Sequence, residues 1–531
     1  MKTATSIYSC MAAVVLMVLS SGGIAGAVDP SDTHLGGGSL ANVTTGVDDT
    51  ALGFNALNAD TDGSRNTATG SGAMQNNISG NDNTADGFQS LQSNTTGVSN
   101  TAVGWQALNG NTTGHDNTAV GLAALQSNSS GFFNTGTGKN ALVFNSTGNN
   151  NTADGTKALE ANTTGSQNTA SGVQALFSNT TGSNNTATGF QSLFKNTTGS
   201  NNTATGRNTL LSNSTGINNT GNGINALKSN TTGSNNTASG LNAMLLNTTG
   251  FNNTASGLGA LSNNTTGYYN TATGLQALLS NTTGFNSTAD GVNALRSNTS
   301  GLQNTALGMN ALSGNTTGNS NIGIGINAGL NLTTGGNNID IGNPGIAAEA
   351  TTIRLGTQGT QTATYIAGIT GNAITGSEVV ISSAGRLGIL GPSSARFKND
   401  ISDMGASTDG LMKLRPVTFR YKSDEQGTKQ YGLVAEEVDK VYPELVVRDA
   451  DGKIESVRYS MLSSMLLNEL QKQHRAMVEQ KAATQRQIAD LKASYEQERS
   501  KRTAFEQRLA NLERTVIAQK KDRSVQAAFN K

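Results

Sequence analysis

Asn162–Ser178 reads NTTGSQNTASGVQALFS, and close variants of these seventeen residues begin at Asn94, Asn111, Asn128, Asn145, Asn179, Asn196, Asn213, Asn230, Asn247, Asn264, Asn281, Asn298 and Asn315. Looser copies carry the frame back to Asn77, Asp60 and Val43 and forward to Leu332, which makes 18 frames without an insertion or deletion. The consensus is N-T-T-G-x-x-N-T-A-x-G-x-x-A-L-x-x. It has no proline, two glycines and two Asn-Thr starts, a pattern that predicts short extended pieces separated by tight turns at Gly165 and Gly172. One unit has too few apolar groups to fold alone. Ala170, Ala175 and Leu176 can form a narrow core only when units stack, which is the logic of a solenoid. At one unit per rung and about 4.8 Å between strands, the array makes a rod roughly 85 Å long. Asparagines repeated at one place in every rung can then ladder their amide hydrogen bonds along the axis.

The rest of the chain is a different material. Of 531 residues, 65 are Gly, five are Pro, one is Cys and 13% are charged, at zero net charge, where ordinary soluble chains carry about 25% charged residues. Residues 1–390 hold 10 Lys and Arg against 15 Asp and Glu, and residues 391–531 hold 25 against 20. With no basic stripe in the glycine-rich part, general nucleic-acid binding is excluded, because it needs clustered cations to displace counterions. Residues 1–27 read as a signal peptide: Lys2, the apolar run Met11–Leu19, too short to span a bilayer, and the small residues Ala25-Gly26-Ala27. Cys10 lies inside that segment, so the mature chain is expected to have no disulfide and to rely on its repeats and on oligomerisation. No later segment is long and apolar enough to cross a membrane as a helix.

The Asn-x-Ala-x-Gly core of each unit, such as Asn168-Thr169-Ala170-Ser171-Gly172, resembles the head repeats of YadA-like trimeric autotransporter adhesins. That resemblance covers about residues 40–345. It implies a left-handed parallel β-roll and three chains packed side by side, with Asn338–Gly345 (NIDIGNPG) as the usual end of the array. No membrane-anchoring β-barrel follows, so self-transport through an outer membrane is not expected. The head is therefore assigned to residues 28–345.

Several motifs inside the array carry a plainer reading than their appearance. The Asn-x-Thr/Ser triplets match a glycosylation acceptor but recur because the repeat recurs, and are read as turn chemistry. Gly323–Gly329 (GIGINAG) imitates a nucleotide loop without a strand-helix unit around it. Asp60-Thr61-Asp62-Gly63 and Asp449-Ala450-Asp451-Gly452 have calcium-loop spacing, but the second has Ser460 where a Glu is required, so both are read as turns. His34, His115 and His474 are too scattered for a metal site, and Trp105 takes a repeat position held elsewhere by Leu, Val or Phe. No cofactor and no metal are expected.

Residues 346–392 lose the frame but keep glycines and alternating β-branched residues at Thr352–Leu355, Thr364–Ala367 and Val379–Ile381, a β-rich connector. Composition changes at Gly391-Pro392-Ser393-Ser394-Ala395-Arg396-Phe397-Lys398-Asn399-Asp400. Downstream come Leu414–Tyr421 (LRPVTFRY), Tyr431–Val438 (YGLVAEEV), Tyr442–Val446 (YPELV) and Val457-Arg458-Tyr459. In that order and spacing, residues 393–459 resemble the endosialidase-type intramolecular chaperone, the self-cleaving peptidase at the ends of phage tail fibres. The resemblance implies a dyad in which Ser393 is the nucleophile and Lys398 the base, with the chain cut between Pro392 and Ser393. A Ser hydroxyl needs a base, and a partly buried Lys of depressed pKa can serve. Asn399 or backbone amides would steady the oxyanion. The position after the nucleophile is usually acidic in that family and is Ser394 here. Arg396 matches a basic position and is assigned to packing or a salt bridge.

Residues 460–531 read as a helical coiled coil and tail. A heptad frame through Leu467, Leu470, Met477, Ile488, Leu491, Phe505, Leu509, Leu512 and Val516 is apolar, while Lys481, Glu498 and Arg502 weaken its middle. The alternative is a solvated helix folded back on its own domain. The expected protein is mainly β, a β-solenoid followed by a small α+β domain and a coiled coil. Its expected function is that of an exported homotrimeric, adhesin-like surface fibre matured by one Ser/Lys self-cleavage, with no other substrate. Two alternatives remain: an uncleaved structural or ligand-binding fibre, and a phage-type tail fibre.

Overall fold

Every unit of the repeat closes one turn of a parallel β-solenoid in the computed structural model, which describes residues 29–366, 379–382, 385–389, 393–422, 424–449, 451–490 and 502–517. The signal peptide expected at 1–27 lies outside the described residues. Three-residue strands, usually Thr-Ala-x, recur every seventeen residues from Thr33–Leu35 to Ile339–Ile341, each paired in parallel with the next. The register is Thr on Thr and Ala on Ala, as in Thr186↔Thr203 and Ala187↔Ala204. Between strands the rungs remain bonded through the backbone, for example from Leu176 N–H to Ser192 O and from Thr180 N–H to Thr197 O, both 2.9 Å. The chain divides into two compact units between Thr362 and Ala363.

The core is narrow. Ala170, Ala175 and Leu176 and their equivalents are fully buried, and so are two asparagines per rung. Asn179 donates from Nδ2 to Oδ1 of Asn162 (2.8 Å) and to the Gly182 carbonyl (2.9 Å). Asn185 donates its backbone N–H (3.0 Å) and its Nδ2 (3.1 Å) to Asn168 Oδ1, and its Nδ2 also to Gly199 O (2.9 Å). Both ladders expected from the sequence therefore run through the interior. Each buried amide satisfies turn carbonyls that would otherwise be dehydrated without a partner. The Asn-Thr-Thr triplets begin at these fully buried asparagines, so turn chemistry is what they encode.

The two glycines of the unit differ in role. Gly172 has φ +135°, and a Cβ there would sit 2.7 Å from Gly189 O in the next rung. Gly165 has no left-handed backbone; its need is space, since a Cβ would fall 2.4 Å from Gly182 O. The left-handed turns fall instead at Gln167, Gln174 and the buried Leu176 (φ 59°, 58° and 51°).

At its C-terminal end the sheet runs further than the array's expected limit. Asn338 Oδ1 accepts the N–H of Thr352 at 3.1 Å, and Ile353–Leu355 adds a twentieth parallel strand after a step of fourteen residues instead of seventeen. The first strand expected in the connector thus belongs to the solenoid. Val379–Ile381 and Leu387–Ile389 form an antiparallel pair. Ala367, the end of another expected strand, lies outside the described residues.

The second unit has a small core of Leu411, Val438, Tyr442, Leu445, Val446, Val457 and Met465. Around it lie the strand pairs Val417–Phe419 with Gln430–Gly432 and Val446–Arg448 with Ile454–Val457, the short helix Ala435–Asp439 and the long helix Tyr459–Asp490. A further helix spans 502–517. His474 Nε2 is 3.6 Å from a Glu513 carboxylate oxygen, and Lys481 lies over the Phe505 ring at 4.6 Å. That order of contacts makes the two helices antiparallel within one chain. Lys481, Glu498 and Arg502, placed in the seam of the heptad frame, are poor material for one continuous coil.

Candidate functional site

Ser393 and Lys398 stand on either side of a single 3₁₀ turn, Ala395–Phe397. Phe397 N–H bonds to Ser394 O and Lys398 N–H to Ala395 O, both at 3.0 Å. That turn reverses the chain so that the Lys398 ammonium donates to Ser393 Oγ at 3.3 Å. Five residues of separation are thereby closed to hydrogen-bond reach. Pro392, on the acyl side of the expected cut, lies outside the described residues.

One feature differs from expectation. Lys398 is exposed, not partly buried, and so is Ser393. General-base action needs the neutral amine, which desolvation favours, and in the single chain nothing covers this lysine. The turn is too short to bring in a second layer of side chains. Arg396 is also exposed, with its guanidinium 4.6 Å from the ring centroid of the neighbouring Phe397.

The segments that follow hold the turn's domain together. Leu433 N–H donates to the Tyr459 hydroxyl at 2.8 Å, tying the strand Gln430–Gly432 to the start of the long helix. A Cβ on Gly432 would come within 2.6 Å of that hydroxyl, so Gly432 and Tyr459 require each other. Arg415 grips the Glu437 carboxylate with two nitrogens, which holds that carboxyl below its usual range. The buried Thr408 hydroxyl donates to Glu469, while Asn468 and Lys472 donate to Thr408 Oγ1. Lys472 also pairs with Asp409 and Glu469. This network docks the turn Gly405–Thr408 against the long helix. Asp449 Oδ1 accepts from Asp451 and Lys453 N–H, so the second calcium-like motif is the turn of a hairpin.

Sequence reading missed an apolar stripe on the solenoid. The residue after each Gly172 equivalent is a large exposed hydrophobic in thirteen of seventeen successive frames, from Phe54 to Ile326. Ser71, Lys139, Thr156 and Arg207 interrupt it. Its signal is in the sequence at a place the consensus leaves as x. Trp105 belongs to this stripe, 47% exposed and nearly parallel to Phe88. The long helix likewise exposes Leu466, Leu467, Leu470 and Met477. No helix among the described residues is long and apolar enough to cross a membrane.

The family model described as chaperone of endosialidase, a peptidase family, matches residues 393–447. The match begins at Ser393 and takes in Lys398, the Arg415–Glu437 pair and the strands Val417–Phe419 and Gln430–Gly432 between its members. No curated protein and no solved structure matches the chain.

Proposed function

We propose that this chain is an exported homotrimeric surface fibre whose C-terminal segment assembles the trimer and then cuts itself free between Pro392 and Ser393. The observation that carries the reading is the 3.3 Å contact between Lys398 Nζ and Ser393 Oγ, at the first residue of the segment similar to the endosialidase chaperone. In the step proposed, neutral Lys398 takes the Ser393 hydroxyl proton. Oγ attacks the carbonyl carbon of Pro392, the C–N bond to Ser393 breaks and its nitrogen is protonated, leaving an ester. Water then hydrolyses the ester, giving a carboxylate at Pro392 and a free amino terminus at Ser393. Each chain turns over once and no outside substrate is consumed.

Trimer assembly draws support from surfaces that one chain leaves bare. The stripe of thirteen large exposed apolar side chains includes an unbroken run of seven frames from Ile224 to Ile326, and a contiguous exposed apolar row of that kind marks an interaction surface. Leu467, Leu470 and Met477 occupy seam places of the heptad frame and remain exposed despite the helix hairpin, so further copies of the chain can pack there. Phe397, Ile401 and both members of the dyad are likewise exposed in the single chain.

The test is the intact mass of the chain expressed from Val28, beside Ser393→Ala and Lys398→Ala. Fragments ending at Pro392 and beginning at Ser393 in the wild type alone establish the dyad. A second reading, a permanent trimerisation clamp that never cuts, is favoured by the exposure of Lys398 and by Ser394 in place of an acid. An intact wild type with the native mass of a trimer would establish that reading instead.

A further inference from the structure

Two places on the solenoid surface break the repeat in the same way. The second residue after the first glycine is Asn or Gln in ten of eighteen frames, as in Ser183-Asn184, and the first varies between small polar and apolar residues. At Phe132-Phe133 and Tyr268-Tyr269 both residues are aromatic, and neighbouring units add His115, Phe251 and Phe285 at the first of the two places. The first-place rings stack along the rod: His115 on Phe132 at 4.9 Å and 4°, Phe251 on Tyr268 at 4.9 Å and 2°, and Tyr268 on Phe285 at 4.8 Å and 4°. The second-place ring stands across the stack. Tyr269 is 5.6 Å from Phe251 and 5.5 Å from Tyr268, with planes at 77° and 74°. Phe133 is 5.6 Å from His115 and 5.5 Å from Phe132, at 83° and 80°. A ring equidistant from two stacked rings and nearly perpendicular to both meets them in a T-shaped contact, as the aromatic quadrupole favours. More than half of each of these residues remains open to solvent, Tyr269 at 54% and Phe133 at 53%.

The rim of each ring is polar and almost uncharged. Asn252 and Asn286 hold the second place in the units on either side of Tyr269, and Asp116 and Asn150 do so beside Phe133. The side-chain amides of Asn150, Asn252 and Asn286 make no hydrogen bond among the described residues. From Asn149 to Asn337 these two places hold no charged residue in any unit. A rigid aromatic face beside free amides is chemistry suited to a pyranose ring, whose C–H face packs on the ring while its hydroxyls bond to the amides. The absence of a cation beside it disfavours acidic sugars, which call for Arg or Lys.

We infer that Phe133 and Tyr269 are platforms for a neutral, β-linked glycan, whose extended chain presents flat C–H faces at regular intervals. They lie 136 residues, or eight repeats, apart, and so in the same phase of the repeat. At about 4.8 Å per rung they share one face roughly 38 Å apart, a span one polymer can bridge for a gain in avidity. The apolar stripe proposed for subunit packing lies six residues further along each turn, beyond the strand, so packing there leaves the platforms open. The inference rests on the reading of the chain as an exposed fibre and not on its cleavage.

The test is native affinity electrophoresis of the full chain through gels holding hydroxyethylcellulose, glycol chitin or a soluble β-1,3-glucan, with polygalacturonate as the acidic counterpart. Retardation by at least one neutral polymer and none by polygalacturonate is expected. Phe133→Ala with Tyr269→Ala should weaken it at least tenfold, each single change should weaken it less, and Tyr269→Phe should retain it. Native mass is measured beside each. The inference is overturned if no neutral polymer retards the chain or if the double variant is retarded like wild type. It also fails if the double variant alone changes native mass, since the rings are then subunit contacts. Ser393→Ala, run in parallel, reports cleavage separately from glycan binding.

Discussion

A side-chain amide stacked on a copy of itself has one donor and one acceptor to spend along the axis, so a ladder of asparagines has a direction. Here Nδ2 of each rung donates to Oδ1 of the rung before it. The ladder's first member therefore need only accept, and the chain places Asp60 there, taking Asn77 Nδ2 at 2.8 Å. Replacing an interior member, Asn196→Ala, leaves Asn179 Oδ1 without its donor in a dry core, takes one of two acceptors from Asn213 Nδ2 and one of two donors from the Gly199 carbonyl, which keeps Asn185 Nδ2. At about 1–3 kcal/mol for an unsatisfied buried group, the expected loss is about 1–3 kcal/mol, read as faster amide exchange confined to the rungs around residue 196. Exchange unchanged there would mean that the ladder contributes no local stability. The dyad offers a residue-scale prediction of another kind. Lys398→Arg keeps the positive charge and the reach to Ser393, but a guanidinium does not give up its proton. It should abolish cleavage completely while the circular dichroism and native mass of the chain stay as in wild type; cleavage at the wild-type rate would remove Lys398 as the base.

An element is decided at its ends, and the ends of this solenoid are acidic. Asp49 and Asp60 are fully buried, and each leaves an Oδ2 without a hydrogen bond. Burial raises Asp49 to about 6, with Asp32 adding to it, and raises Asp60 to about 7, with Asp49 adding to it. In an unfolded chain both carboxyls titrate near 4. Between those values the folded rungs hold protons that the unfolded chain has released, so the stabilisation is complete below about pH 4 and is lost as pH rises through about 7. Asp340, buried in a place other rungs give to Ala, is raised to about 6 by burial and by Glu349, so both ends loosen in the same direction. Amide exchange at residues 44–67 should be faster at pH 8 than at pH 5 after correction for intrinsic rates. Asp60→Asn, which can donate to Asp49, should remove most of the difference. The period, the Thr-Ala strands and the ladders were legible from Asn162–Ser178 because in a solenoid each local rule is tested once per rung. What was not legible is what occurs once or depends on a neighbour. Asp60 looked like a loop residue until Asn77 was seen to donate to it, and Leu176 shows no sequence mark of its left-handed backbone. The Ser393–Lys398 spacing was readable only through likeness to a known family, and the exposure of Lys398 was not readable at all, because burial is a property of whatever packs over it.

A repetitive molecule has a difficulty at its own scale. A slip of seventeen residues between two chains sets Val173 against Phe190 and Leu241 against Leu258 and loses almost nothing, so side-by-side packing along the stripe does not fix the stagger. The few residues that break the period, Lys139 and Arg207 within the stripe, penalise a slip only weakly because both remain at the surface. Register must come from an end, and the second unit has the means: its own core, a helix docked through Thr408 and Lys472, and an uncovered seam at Leu467, Leu470 and Met477. In the trimer proposed, three such units that meet would start their solenoids level, and the stripes could then zip from that end. The domain is then dispensable, and its removal would trap the fibre kinetically, because the part that set the stagger is gone. Two consequences separate this account from one in which the solenoid aligns itself. A chain ended at Thr362 should refold into rungs yet sediment as a broad set of staggered assemblies, whereas full-length Ser393→Ala gives one species of threefold mass. Leu467→Glu with Leu470→Glu in the full chain should reproduce the broad distribution even though the head sequence is intact. A single sharp trimer from the truncated chain would mean that the stripe carries its own register and that the C-terminal unit has some other task.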